Sequence, residues 1–192
     1  LEQLGLWPEN VRINKYQMLL KEALNYIVFI PFSAGVMAEF EHDLYAQNLP
    51  EEEFNKRWWE LKEKYQGIVP PSERGSEYCD AASKTHINND AAQYYDYAVS
   101  YILLFQFHDH IAKKILNMNP QSTNYSGNKE VGDFLKSLMR PGATKDWREL
   151  LQETVGSDMS AAPMLEYFSM LTDYLKDKNE GREHTLPESF PG

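Results

Sequence analysis

With 192 residues, 42% of them hydrophobic and 13% aromatic, the chain is long enough for one domain or part of a larger one, and it should bury a core. Its 29 acidic against 19 basic side chains leave a net charge of −10; with no long basic run, nucleic acid and anionic membrane surfaces are poor partners. Cys79 is the single cysteine, which excludes an internal disulfide and any multi-cysteine zinc site and leaves the compartment open.

In chain order, the first helical pattern runs from about Glu9 to Ala46 and places Leu19, Leu20, Ala23, Tyr26, Ile27 and Ile30 on one broad face. Pro31 is expected to kink or split it, because proline lacks a backbone donor and crowds the preceding turn. The apolar run from Tyr26 to Ala38 is interrupted by Pro31, Ser33 and Gly35, so no segment is expected to span a bilayer. A second helix is predicted from Pro50, with Glu51, Glu52 and Glu53 at its positive end, Lys62 and Lys64 near its negative end, and Gly67 closing it. Phe54, Trp58, Leu61 and Tyr65 form its buried stripe. Pro70 and Pro71 stop it, and a long polar loop follows.

That loop leads into KTHINNDAAQYYDYAVSYILLFQFH, Lys84 to His108, around which the chain is expected to be organised. Asp90 and Gln93 have capping-box spacing, which predicts a helix from there to about Leu116. Tyr94, Tyr97 and Tyr101 would stack on one face of it. Lys84, His86 and the tyrosyl hydroxyls would then converge at the start of a helix too apolar to face water. After a loop over Asn117–Asn128, short helices fit Lys129–Met139 and Asp146–Val155. A last helix begins after Ser160 and buries Met164, Tyr167, Phe168, Leu171 and Leu175, and the tail from Arg182 reads as a domain edge. With no convincing strand pair and no repeats, the fold class is all-α, an irregular multi-helix array.

Five segments, FIPFS (Phe29–Ser33), RWWELKEKYQGIVPP (Arg57–Pro71), KTHI (Lys84–Ile87), YYDYAVSYILLFQFH (Tyr94–His108) and MSAAPMLEYF (Met159–Phe168), stand in the order and spacing of one family. Together they resemble the C-terminal third of the catalytic domain of angiotensin-converting enzyme and its bacterial relatives, the zinc peptidyl-dipeptidases, over nearly all of residues 1–192. The loop between His86 and Tyr94 is one residue longer than in the animal enzymes, and the two cysteines that close a loop after the tyrosine helix in animal members are absent, so the chain looks more like a bacterial relative. The resemblance implies that Lys84 and Tyr94 grip the free C-terminal carboxylate of a peptide. It also implies that His86 and Tyr97 hold the substrate backbone and the oxyanion formed at the scissile carbonyl. A preorganised donor of that kind is worth about 3–4 kcal/mol. Phe29 and Tyr101 would line the pocket for the last side chain of the substrate.

Two departures limit what carries over. Where animal members have a chloride-holding arginine, this chain has Asp96, and Lys62 replaces the arginine of a second chloride site, so anion activation is not expected. The family binds zinc through HExxH and a later glutamate, and no HExxH occurs in this sequence. The resemblance places that metal site before Leu1. The chain alone is therefore expected to hold no zinc and to hydrolyse no peptide, and the complete enzyme would be secreted or periplasmic.

Plainer readings compete. Tyrosines at helical spacing are ordinarily core residues, and Lys84 and His86 alone would be surface loop residues. In His108-Asp109-His110 the two imidazoles point to different faces of a helix. Glu39-x-x-His42 has di-iron spacing but no second copy. Trp58-Trp59 is most simply packing, and Asn124-Tyr125-Ser126 is a sequon common by chance. Two functions stay open: a substrate-gripping part of a zinc peptidyl-dipeptidase, or a non-catalytic helical module that binds peptides or a partner. An exposed apolar face is expected on the tyrosine helix, and self-association is one way to cover it.

Overall fold

The computed structural model describes residues 5–6 and 14–183, so the expected start of the first helix at Glu9 and the tail from residue 184 lie outside it. The described residues form helices and no strands, and the all-α expectation holds. α1 (Lys15–Ile30) starts at Asn14, whose side chain accepts the N–H groups of Tyr16 and Gln17. It runs unbroken through a π-helical segment, Pro31–Met37, into α2 (Ala38–Ala46). Proline cannot continue the α-helical ladder, and the chain widens here instead of breaking.

This rod of 32 residues is long and apolar enough to cross a membrane by length and composition, contrary to the expectation from sequence. Its second half is committed elsewhere. Val36, Met37 and Phe40 are buried against Trp58 and Leu61 of α3 (Phe54–Gln66), and Ala81 and Tyr94 complete that core. α3 follows a 3-10 turn at Glu51–Glu53 and ends at Gly67, whose φ of 64° is the left-handed conformation a helix stop needs. The stripe of Trp58 and Leu61, flanked by Phe54 and Tyr65, is as expected. Gly35 permits the close approach of α3, because a Cβ there would lie 2.6 Å from the Tyr65 ring.

The loop after α3 is pinned to it. Asn55 donates to the Arg74 and Gly75 carbonyls at 3.3 Å each and accepts the Asp80 N–H at 2.9 Å. Asp80 in turn takes the Arg74 guanidinium at 2.6 Å and the Trp59 indole N–H at 2.8 Å. A 3-10 turn at Asp80–Ser83 then leads into α4 (Thr85–Asn89).

The tyrosine helix, α5, spans Asp96–His110 and passes through a second π-helical segment, Ile111–Ile115, to end near Leu116 as predicted. Its start is not where the capping box placed it. Residues 90–95 form turns, Ala92 has φ 58°, and Asp90 instead closes α4 by donating its N–H to the His86 carbonyl. Tyr94 therefore precedes the helix.

α6 (Lys129–Met139) and α7 (Trp147–Val155) match expectation, capped by the side chains of Asn128 and Asp146. The single last helix is two, α8 (Ala162–Tyr167) and α9 (Ser169–Asn179), interrupted at Phe168. Leu171 packs on Leu19 and Ala23 in a second core, with Tyr167, Phe168 and Leu175 around it. Ile27, expected inside, is 64% exposed.

Candidate functional site

Three separate elements bring the six expected site residues into one connected cluster. Phe29 comes from the end of α1, Lys84 and His86 from the start of α4, and the tyrosines from the turn before α5 and its first two turns. Tyr94 is the buried centre. The rings of Phe29 and Phe32 lie 5.8 and 5.7 Å from it, and His86 meets it edge-on at 4.7 Å. Packed on three sides, its hydroxyl accepts a hydrogen bond from Lys84 Nζ at 3.0 Å.

Lys84 Nζ also sits 4.4 Å from the Tyr94 ring centroid and 5.5 Å from that of Phe32. No carboxylate pairs with it among the described residues. A half-buried ammonium steadied by ring faces and a phenol, without a counter-ion, is suited to accept an anionic ligand. Tyr97, 44% exposed, lies 4.9 Å from Tyr94 and 6.3 Å from His86, which brings a hydroxyl and an imidazole into the same cluster.

Phe29 continues the wall: its ring meets Tyr97 at 5.6 Å and Tyr101 at 5.5 Å, both edge-on. Phe29 and Tyr101 line an open hollow with Leu24, Tyr26 and Val28. Burial, with Glu22 and Tyr101 nearby, pushes the Tyr26 hydroxyl above the ordinary phenol range and keeps it neutral. The exposed apolar face lies mainly on α1 rather than on the tyrosine helix: Leu24, Ile27 and Val28 are each at least half exposed, whereas α5 contributes Leu104 and Tyr97.

Other candidates resolve as structural. Glu39 is held by Arg57 at 2.6 Å, by Lys64 at 2.9 Å and by the Tyr65 hydroxyl, and these partners, Lys64 and Tyr65 foremost, lower its pKa to about 2. His108 Nε2 lies 2.7 Å from the Pro120 carbonyl while His110 stacks on Phe134, so the two imidazoles do diverge. Trp58 is core, and Trp59 serves the Asp80 pin. Lys62 donates to Gln66 at 2.6 Å over the Phe32 ring, and burial lowers its pKa. Asp96 faces a different hollow, with Val99, Trp147, Arg148 and Asp158.

No group of three or more His, Cys, Asp or Glu side chains able to hold a metal occurs among the described residues, so the donors at hand do not fit a zinc ion by themselves. Sequence reasoning missed two residues that hold the cluster from behind. Ser33 donates to the Tyr94 carbonyl at 2.5 Å, and Glu41 accepts the Ala92 N–H at 2.8 Å. Ser33 sat inside the quoted FIPFS segment, while Glu41 carried no local signal in the charged stretch around it.

Comparison with known proteins identifies relatives over most of the chain. The sequence profile of the angiotensin-converting enzyme family of M2 peptidases matches residues 1–187. Angiotensin-converting enzyme of Bos taurus is 35% identical over 190 residues, which is 97% of this chain and 14% of that protein. The Theromyzon tessulatum enzyme is 32% identical over 88% of the chain and 27% of its own length. Angiotensin-converting enzyme-related protein of Drosophila melanogaster is 31% identical over 91% of the chain and 28% of its own length. The chain thus spans between about one seventh and just over a quarter of these relatives. On the match over nearly its whole length, the chain belongs to the angiotensin-converting enzyme family.

Proposed function

We propose that this chain is the C-terminal, substrate-gripping portion of a zinc-dependent peptidyl-dipeptidase that removes C-terminal dipeptides. Lys84 supplies charge and Tyr94 a directed hydroxyl for the free carboxylate of a peptide substrate. His86 and Tyr97 donate to the substrate backbone and to the oxyanion at the scissile carbonyl. Phe29 and Tyr101 line the pocket for the last side chain. Zinc belongs to a portion of the parent protein that carries HExxH. The exposed face of α1 is where that portion would cover apolar surface, and self-association is the alternative cover. The single cysteine and Asp96 support a bacterial-type parent without chloride activation.

The observation that carries this reading is the Lys84 ammonium, 3.0 Å from the Tyr94 hydroxyl and without a carboxylate partner among the described residues. The test is calorimetric titration with an acetylated tripeptide bearing a free carboxylate and with its C-terminal amide. The free acid is expected to bind more tightly, and Lys84→Ala to weaken it about 10- to 100-fold, the size of one charge-assisted hydrogen bond. Equal affinity for acid and amide would overturn the clamp. The missing HExxH favours a second reading, a peptide-binding module without catalysis. Zinc-dependent release of dipeptides by the purified chain would refute both that module and the incompleteness proposed above.

A further inference from the structure

Ala92 is an L-residue at φ 58°, a left-handed backbone that side-chain-bearing residues avoid. It lies two residues before Tyr94, in the turn that replaces the expected helix start. Across from it stands Glu41 of α2, only 3% exposed, whose Oε1 accepts the Ala92 N–H at 2.8 Å. No cation pairs with Glu41 among the described residues. A carboxylate buried against a backbone N–H alone is costly to keep, and here it holds a backbone that would otherwise relax. Eight residues earlier on the same rod, Ser33 is fully buried and donates to the Tyr94 carbonyl. The rod thus grips the chain on both sides of the Cα that carries the clamp phenol.

We propose that Glu41 is the positioning residue of the carboxylate clamp: by holding Ala92 in its left-handed conformation it aims the Tyr94 hydroxyl at Lys84. The inference builds on the clamp reading above and adds a residue that touches no substrate. Without the Glu41 bond the turn at 90–95 can unwind, Tyr94 loses its fixed direction, and Lys84 loses the phenol that orients its ammonium. Peptide contacts that do not involve the terminal carboxylate are left alone.

The test uses the full 192-residue chain with ring-labelled tyrosine, the Tyr94 resonance being assigned by Tyr94→Phe. It is titrated with the acetylated tripeptide acid and its amide. Glu41→Ala is expected to shift the Tyr94 resonance and weaken the acid about tenfold, leaving the amide unchanged. Adding Ala92→Gly, which relieves the left-handed backbone, is expected to restore most of both effects. Glu41→Gln keeps the shape and an acceptor oxygen, so it keeps the fold if the alanine variant does not, and a smaller shift in the same direction is expected. A Tyr94 resonance unmoved in both Glu41 variants overturns the inference, as does a shift that Ala92→Gly fails to reverse. Wild-type protein that binds acid and amide alike overturns the clamp alone, since the resonance still reports what Glu41 does.

Discussion

Gly35→Ala puts one methyl group into the contact between the π-helical segment and α3. Its Cβ would sit 2.6 Å from Cγ and Cδ1 and 2.9 Å from Cδ2 of Tyr65, inside van der Waals range on one edge of the ring. In an open helix the same change would stabilise by about 1 kcal/mol through backbone entropy. Here overpacking costs about 1–3 kcal/mol, and the ring has no free retreat. Its hydroxyl is bonded to Glu39, and swinging the ring away gives up a charge-assisted bond worth about 1.5–3 kcal/mol. The net expectation is a loss of about 2 kcal/mol, or roughly 4–8 °C in Tm for a chain of this size. Thermal unfolding followed by circular dichroism measures it. Removing the ring should abolish the penalty, so Gly35→Ala made on a Tyr65→Ala background is expected to be neutral or slightly stabilising. A Gly35→Ala protein as stable as wild type, or more so, would refute the packing argument.

Three further outcomes are expected. Glu39 is held at a pKa of about 2, below its ordinary 4.5, so its stabilisation is complete above about pH 4.5 and is lost as pH falls through 2. Discounted for solvent screening on the exposed Lys64 side, it is worth about 1–2 kcal/mol. Urea titrations of Glu39→Gln and wild type should differ by that amount at pH 6 and converge towards pH 2; a gap independent of pH would contradict the assignment. Buried Gln106 donates to Ser157 Oγ at 2.9 Å and to the Asp158 carbonyl at 2.8 Å, and accepts the Ser160 N–H at 3.0 Å. Gln106→Leu should cost about 2–3 kcal/mol by leaving those backbone groups unpaired, with wild-type stability as the disproving result. Lys84→Ala, the variant proposed for the peptide titration, should cost about 1 kcal/mol of stability, through the lost hydrogen bond to Tyr94 and not through an ion pair, since Lys84 has none among the described residues; a loss above about 3 kcal/mol in urea titration would contradict this.

The helices that sequence located well are those bounded by local chemistry. Gly67 and Gly156 stop helices with positive φ, and Asn128 and Asp146 start them with side-chain caps. Pro31 announced a disturbance, but its outcome is a wider helix rather than a kink, with Gly35 inside it letting Tyr65 approach from α3. Asp90 and Gln93 misled because a residue 51 positions earlier captures the Ala92 N–H, and no local pattern encodes a partner at that distance. Ile27 satisfied the 3.6-residue periodicity yet faces solvent, since periodicity marks an apolar side and not what lies against it. The clamp residues were legible only through family resemblance. Lys84 and His86 follow the Asn55 and Asp80 pins on the preceding loop, whose polar spacing reads as ordinary turn chemistry, while Tyr94 is held by Ser33 and Glu41 from far along the sequence.

The π-helical segment Pro31–Met37 turns the chain less per residue than the α-helix on either side, so it holds about one residue more than an α-helix of the same rotation. Excising one residue there would let the stretch close into ordinary α-helix with the faces downstream nearly kept, Phe40 in the core and Glu41 at the turn it holds. The same excision in α2 just before Phe40, where each residue advances the chain by about 100°, would swing both away. Within the rod, tolerance to a lost residue should therefore be confined to its wide turn.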